Sequence, residues 1–295
     1  MDTLDKNYLK EKPNCPICNS NSKIIDNVRT INENAHDILN LRECFNCGHW
    51  WIDPMPEQDY LIKLYQKGSE YVVSKGYEGS DKLERVKFEK FYEEIIKYFK
   101  GRDPKELNYL EVGCGSGYLL NYFKEKVNKC IGIEPGSWKP DNNILNSIDE
   151  LNEDIKFDII VVKDVLEHVE DPLAMMQKIK SFSNDGAIIN LSFPNKDSLI
   201  AKFFVGKWAM VRPIGHLHYF SRKSIKMMFD KSGWTLLNAY SYWPVESFGC
   251  LFKNFNWNAK NPIKLIYRII VRLLLKQIIM GKDQWHITGK LNKTD

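Results

Sequence analysis

Through the middle of the chain, short apolar runs alternate with amphipathic stretches. Tyr109–Val112, Cys130–Glu134, Phe157–Val162, Ala187–Leu191, Trp234–Tyr240 and Trp285–Thr288 predict strands, and 143–146 predicts a shorter one. Phe157–Val162 is almost continuously apolar, as a parallel strand covered on both faces should be. Between these runs the apolar period lengthens. From Lys82 to Lys100, Leu83, Val86, Phe88, Phe91, Ile95, Ile96 and Phe99 recur at helical spacing. Gly101 then offers a C-terminal cap, and Pro104 prevents continuation. Tyr118–Lys126 has helical character. Asp171 followed by Pro172 opens a helix over about 172–182, and Ser221 and Gly233 bracket another over Arg222–Lys231. Strands alternating with helices predict an α/β, doubly wound, mostly parallel sheet of seven strands. Pro135 and Pro140 leave no room for a helix after Cys130–Glu134.

The N-terminal part follows another logic. Cys15-Pro-Ile-Cys18 and Cys44-Phe-Asn-Cys47 are two C-x-x-C pairs, each able to present two thiolates from a tight turn. Together Cys15, Cys18, Cys44 and Cys47 predict a closed, structural Zn²⁺ site in a ribbon over 13–56, too small to have its own core. The intervening loop, 19–43, is longer than the common ribbon spacing, which costs little once metal closes it. Gly48 follows the second pair where a knuckle needs positive φ. Few basic side chains within 13–56 argue against nucleic acid. Residues 57–80 read as a short helix and a connector or lid.

The stretch 241–283 is aromatic first, then basic and apolar. Lys260, Lys264, Arg268, Arg272 and Lys276 recur every fourth position among isoleucines, leucines and a valine. On a helix over 260–280 they form a cationic stripe beside a wide apolar face. Such a helix fits peripheral contact with an anionic membrane, or a core or dimer helix. With 43% hydrophobic and 27% charged residues and a net charge of +4, composition is that of an ordinary globular protein. A polar N-terminus and cysteines without an export signal predict a cytoplasmic protein, which the basic stripe would place at the inner face of the membrane.

The chemistry concentrates after the first strand, where Glu111-Val-Gly113-Cys114-Gly115-Ser-Gly117 joins strand to helix. Glycines there let backbone turn sharply and approach a ligand closely. A dinucleotide fingerprint would put its third glycine at 118, where this chain has Tyr118. Glu134 ends the second strand, placed to accept the ribose hydroxyls of a bound nucleoside. Leu-Glu-Val-Gly-Cys-Gly-Ser-Gly, Gly-Ile-Glu-Pro, Phe-Asp-Ile-Ile and Asp-Val-Leu-Glu-His-Val-Glu-Asp-Pro follow in that order. In these motifs, over roughly 82–240, the chain resembles the class I S-adenosylmethionine (SAM) methyltransferases of the ubiquinone-biosynthesis and surface-saccharide type.

That resemblance implies a Rossmann-like methyltransferase domain over 81–240 and 284–290, with 241–283 as an insertion. It implies SAM as cofactor, held by Glu111, Gly113, Cys114, Gly115, Gly117, Glu134 and Pro135, with Ser147 and Ile148 flanking the adenine and Asp164 nearby. Methyl transfer to a hydroxyl benefits from a base titrating near neutrality, which favours histidine. His216 and His218, in a loop expected to close over the acceptor, are the first candidates, and His168 the third. A metal at His216 and His218 is disfavoured, since no third ligand stands near them in sequence. The acceptor implied is a saccharide or lipid-linked small molecule; alternatives are a sugar C-methyltransferase and a non-catalytic zinc-ribbon adaptor.

Overall fold

The structure is a computed structural model and describes residues 5–29, 38–66, 81–136, 143–242 and 283–292. The stretch 260–280, most of the connector 57–80 and Pro140 lie outside the described residues.

In the N-terminal part, β1 (Leu9–Lys10) pairs with β5 (Met55–Pro56). A second sheet is built from β2 (Ser22–Arg29), β3 (Ile38–Cys44) and β4 (Trp50–Asp53). Trp51, Ile52 and Leu41 are completely buried there. The helix α1 (Gln58–Gln66) leads away, and α2 (Asp81–Ile96) follows the connector.

The larger sheet begins with β6 (Asn108–Val112). It continues through α3 (Tyr118–Lys124), β7 (Lys129–Ile133), β8 (Ile144–Leu145), β9 (Phe157–Lys163), α4 (Pro172–Ser181) and β10 (Ser183–Pro194). After α5 (Leu199–Phe204) and β11 (His218–Tyr219) come α6 (Arg222–Ser232), β12 (Trp234–Tyr242) and β13 (Gln284–Leu291). Strand order is β12-β13-β10-β9-β6-β7-β8, and β13 alone runs against its neighbours. The expected α/β, mostly parallel, seven-stranded sheet is therefore present.

Local chemistry explains the element ends. Asp171 accepts from the Ala174 N–H at 2.9 Å with Pro172 in the first turn of α4. Ser221 and Ser224 form a reciprocal capping box on α6, and Gly233 ends it in the left-handed region. Phe91, Ile95 and Phe99 pack with Tyr109, Phe123, Ile159 and Val161 on one face of the sheet. On the other, Met176, Ile179, Ile225, Met228 and Phe229 pack with Leu110, Ile160 and Ile189.

The smaller sheet does not end with the N-terminal segment. β11 adds to β4, with His218 opposite Trp51 and Tyr219 opposite Trp50, giving the order β11-β4-β3-β2. Cys15, Ile17, Cys44, Cys47 and Trp51 belong to the same core as Phe220, Ile225 and Phe229. The cysteine knuckles thus obtain their apolar burial from the larger domain.

Candidate active site and metal centre

The carboxyl ends of β6, β7, β8 and β9 lie side by side, and they gather most of the expected cofactor residues. Gly113, Gly115 and Gly117 all have positive φ, at 74°, 51° and 74°. Gly113 has a second reason to be glycine: a Cβ there would stand 2.2 Å from Cγ2 of Val165. The Gly113 and Cys114 N–H groups both donate to the Ile133 carbonyl, fastening the turn to the end of β7. Glu134 is buried, and its carboxylate spans the turn. Oε2 accepts from the Gly115 N–H at 2.9 Å and Oε1 from the Gly136 N–H at 2.8 Å. Its own N–H donates to the Leu145 carbonyl of β8. Two residues beyond β8, Ser147 caps a short 3-10 turn at 148–150, and Ile148 is buried.

Glu111 lies under the turn. Tyr109 donates to its Oε2 at 3.1 Å. Burial lifts its carboxyl to about 7, against the opposing pull of Lys163 and Tyr109. Burial lowers Lys163 against the opposing pull of Glu111 and Asp164, and its ammonium is 3.5 Å from the centre of the Phe91 ring. Asp164, at positive φ, accepts from Ser192 Oγ at 3.3 Å and from Gln284 Nε2 at 2.6 Å.

The three candidate histidines fall into two groups. His218 is completely buried and bonded at both ring nitrogens, to His49 at 3.1 Å and to the Glu170 carbonyl at 3.3 Å. Burial lowers it to about 4. His168 and His216 meet edge to face, with ring centroids 4.8 Å apart, beside Glu167. Burial lowers both, His168 to about 4. The alternation of His216 and His218 in extended backbone thus sends them to different surroundings.

Several participants carried no signal of their own in the sequence. Gly136 completes the grip on Glu134, and Lys163 opposes the effect of burial on Glu111. Glu170 answers Gln58 reciprocally, through Gln58 N–H to Oε2 and Glu170 N–H to the Gln58 side chain, and also pairs with Lys12 at 3.2 Å. His286 donates to or accepts from Asn190 at 3.0 Å and stacks on Tyr240.

The four cysteine sulfurs form a second centre. Cys15–Cys47, Cys18–Cys44 and Cys18–Cys47 are 3.5, 3.4 and 3.6 Å apart. Four thiolates around one ion at about 2.3 Å would stand roughly 3.8 Å from each other, so the set fits a tetrahedral zinc. Thiol chemistry agrees: the Cys15 contact and burial push Cys47 far up, and burial raises Cys44. Cys44 and Cys47 do not ionise readily without a cation beside them. Gly48 takes the expected positive φ, 69°.

A glycine turn after the first strand, an acid ending the second, and a sheet closed by one antiparallel strand define a Rossmann-like methyltransferase domain. The profile of a family described as a methyltransferase domain matches residues 84–239, more than half of the chain, and the chain belongs to that family. Among curated proteins, a tRNA U34 carboxymethyltransferase from Alteromonas mediterranea is 32% identical over 105 residues, covering 29% of this chain and 30% of that relative's length. Solved structures of similar fold include a SAM-dependent methyltransferase from Archaeoglobus fulgidus (20% identity, TM-score 0.48, 72% of this chain and 95% of that one). A putative sarcosine dimethylglycine methyltransferase from Galdieria sulphuraria is another (14% identity, TM-score 0.48, 70% and 86%). Residues 84–239 are thus a methyltransferase domain.

Proposed function

We propose that the methyl group goes to a hydroxyl oxygen of a saccharide or lipid-linked small molecule. In this reading Glu111 and the Gly113–Gly117 turn, with Cys114, hold the methionine end of SAM. Glu134 and Pro135 take the ribose, Ser147 and Ile148 flank the adenine, and Asp164 borders the methyl group. The observation that carries the donor half is the Glu134 carboxylate, buried between two backbone N–H groups at the carboxyl end of β7. Its fixed position suits a ribose diol and costs no reorganisation on binding.

SAM is already activated, so the protein's task is to align the acceptor oxygen with the methyl group and exclude water. His168 and His216 are the groups through which the hydroxyl is held or loses its proton, since both nitrogens of His218 are engaged structurally. The four cysteines hold one structural Zn²⁺. Its closed tetrahedron leaves no coordination position for the acceptor. The basic stripe at 260–280 supports an acceptor met at an anionic membrane surface; among the described residues no helix is long and apolar enough to cross a membrane.

The experiment is mass spectrometry of polyprenyl-linked saccharides, free nucleotide sugars and tRNA incubated with the protein and methyl-labelled SAM. Label on a saccharide oxygen is expected. Label on carbon, or on tRNA alone, would replace this acceptor with the corresponding other one.

A further inference from the structure

Read along the chain, His216 and His218 lack a third metal ligand. In the fold, His216 meets one from another segment. Glu167, His168 and His216 each place a ligand atom within 4.8 Å of the other two. The Glu167 side chain is 1% exposed, and its Oε2 has no hydrogen-bond partner among the described residues. Its backbone is fixed, because its carbonyl accepts from the N–H groups of Leu217 and His218. A carboxyl oxygen buried without a partner costs about 1–3 kcal/mol, and a cation removes that cost.

His216 is oriented as a ligand. Nδ1 of His216 lies 2.7 Å from the Met210 carbonyl, so it carries the proton and Nε2 keeps its lone pair. Metal-bound histidines are typically held in this way, by a carbonyl accepting from the other ring nitrogen. His168 stands against His216 edge to face, with ring centroids 4.8 Å apart, and hydrogen-bonds the backbone of Gly215. Bonds of about 2.0–2.2 Å to a common ion would bring neighbouring ligand atoms to roughly 3–3.5 Å.

We propose that Glu167, His168 and His216 bind a divalent first-row transition cation of the zinc type, at a site separate from the four cysteines. Two imidazoles and one carboxylate favour such an ion over magnesium or calcium. Three protein ligands leave a position for an exogenous oxygen. The segment that carries Glu167 and His168 also lays Val165 against Gly113, so the cation stands on the strip of chain flanking the cofactor turn. That the open position receives the acceptor oxygen rests on the reading given under Proposed function; the cation site itself does not.

Cobalt titration of metal-stripped full-length protein separates the two centres. A four-thiolate site gives intense charge-transfer absorption, whereas a nitrogen and oxygen site gives only weak visible bands. In the wild type the intense bands should saturate near about one equivalent, and a weak visible band should then grow to about two. In Glu167→Gln and His216→Ala the second phase should disappear while the first is kept, and metal content after purification should fall about twofold. Retention of both equivalents in these variants would overturn the proposal. Should a variant fail to fold, the wild-type titration decides alone, since saturation at one equivalent also overturns it. Calorimetry with S-adenosylhomocysteine on the same samples keeps the methyltransferase reading separate, because cofactor binding with no second cation would refute only the site.

Discussion

At the scale of single residues, the proposed cofactor turn depends on groups that tolerate little change. Alanine at Gly113 would hold φ near 74° and set its Cβ against Val165. The left-handed backbone alone costs an L-residue roughly 1–2 kcal/mol, and the overlap adds to it. Gly113→Ala should therefore destabilise the protein by about 2–4 kcal/mol and lower affinity for S-adenosylhomocysteine by at least about tenfold. Adding Val165→Ala should recover part of the stability, by removing the clash and leaving the strain. Thermal unfolding and calorimetry read both effects, and near wild-type binding by the single variant would show that the turn has room to yield. Glu134→Ala acts differently. It removes the acceptor of the Gly115 and Gly136 N–H groups, so calorimetry should show weaker cofactor binding on a folded protein. Unchanged affinity would take Glu134 out of the site. These residues were legible in sequence because a glycine turn and an acid one strand later form a local pattern. The partner of Gly113 was not, since Val165 arrives from the loop that follows β9.

At the scale of elements, caps and periodicity located the helices well. The Asp171 and Ser221 caps and the Gly233 stop act within a few residues of themselves. Hidden from sequence was the polar lining of the sheet face beneath α2. Alternate positions of β6, β9, β10 and β13 bring Glu111, Lys163, Asn190 and His286 to that face. Two of them titrate with opposite effects on stability. Burial raises the folded Glu111 carboxyl to about 7 from an ordinary 4.5, so its contribution is present at low pH and is lost as pH rises through 7. Burial, with Lys163 next, lowers His286 to about 4 from 6.5. Its contribution is present above 6.5 and is lost as pH falls through 4. Each effect is on the order of 3 kcal/mol at most, because the neighbouring charges are coupled. The melting temperature of wild type relative to Glu111→Gln should accordingly fall between pH 5 and pH 8. Relative to His286→Gln it should fall between pH 6.5 and pH 4. A difference that rises with pH in the first comparison would show that Glu111 remains ionised in the fold.

For the whole molecule, the cysteine knuckles and the methyltransferase sheet share one structure. Ser221, which caps α6, donates through Oγ to the Cys47 carbonyl at 2.6 Å, and Lys231 reaches the Ile17 carbonyl at 2.8 Å. His49 meets His218 in the interior, and β11 is a strand of the sheet that carries the knuckles. Both C-x-x-C pairs were plain in sequence. Their attachment was not, because it joins residues some 170 positions apart in the chain. The attachment has a functional consequence. His216 stands two residues before β11, whereas the proposed cofactor cradle is built on β6, β7 and β8. Loosening the knuckles should therefore disturb the segment assigned to the acceptor before it disturbs the cradle. Cys44→Ser with Cys47→Ser, or stripping of the cysteine-bound metal, removes a folding contribution that in isolated zinc modules reaches about 10 kcal/mol. Under those conditions methyl transfer should fall by more than about tenfold, while affinity for S-adenosylhomocysteine changes less than about threefold. Parallel loss of both would mean that the knuckles support the whole sheet. Retention of full activity would mean that β11 holds its place without them.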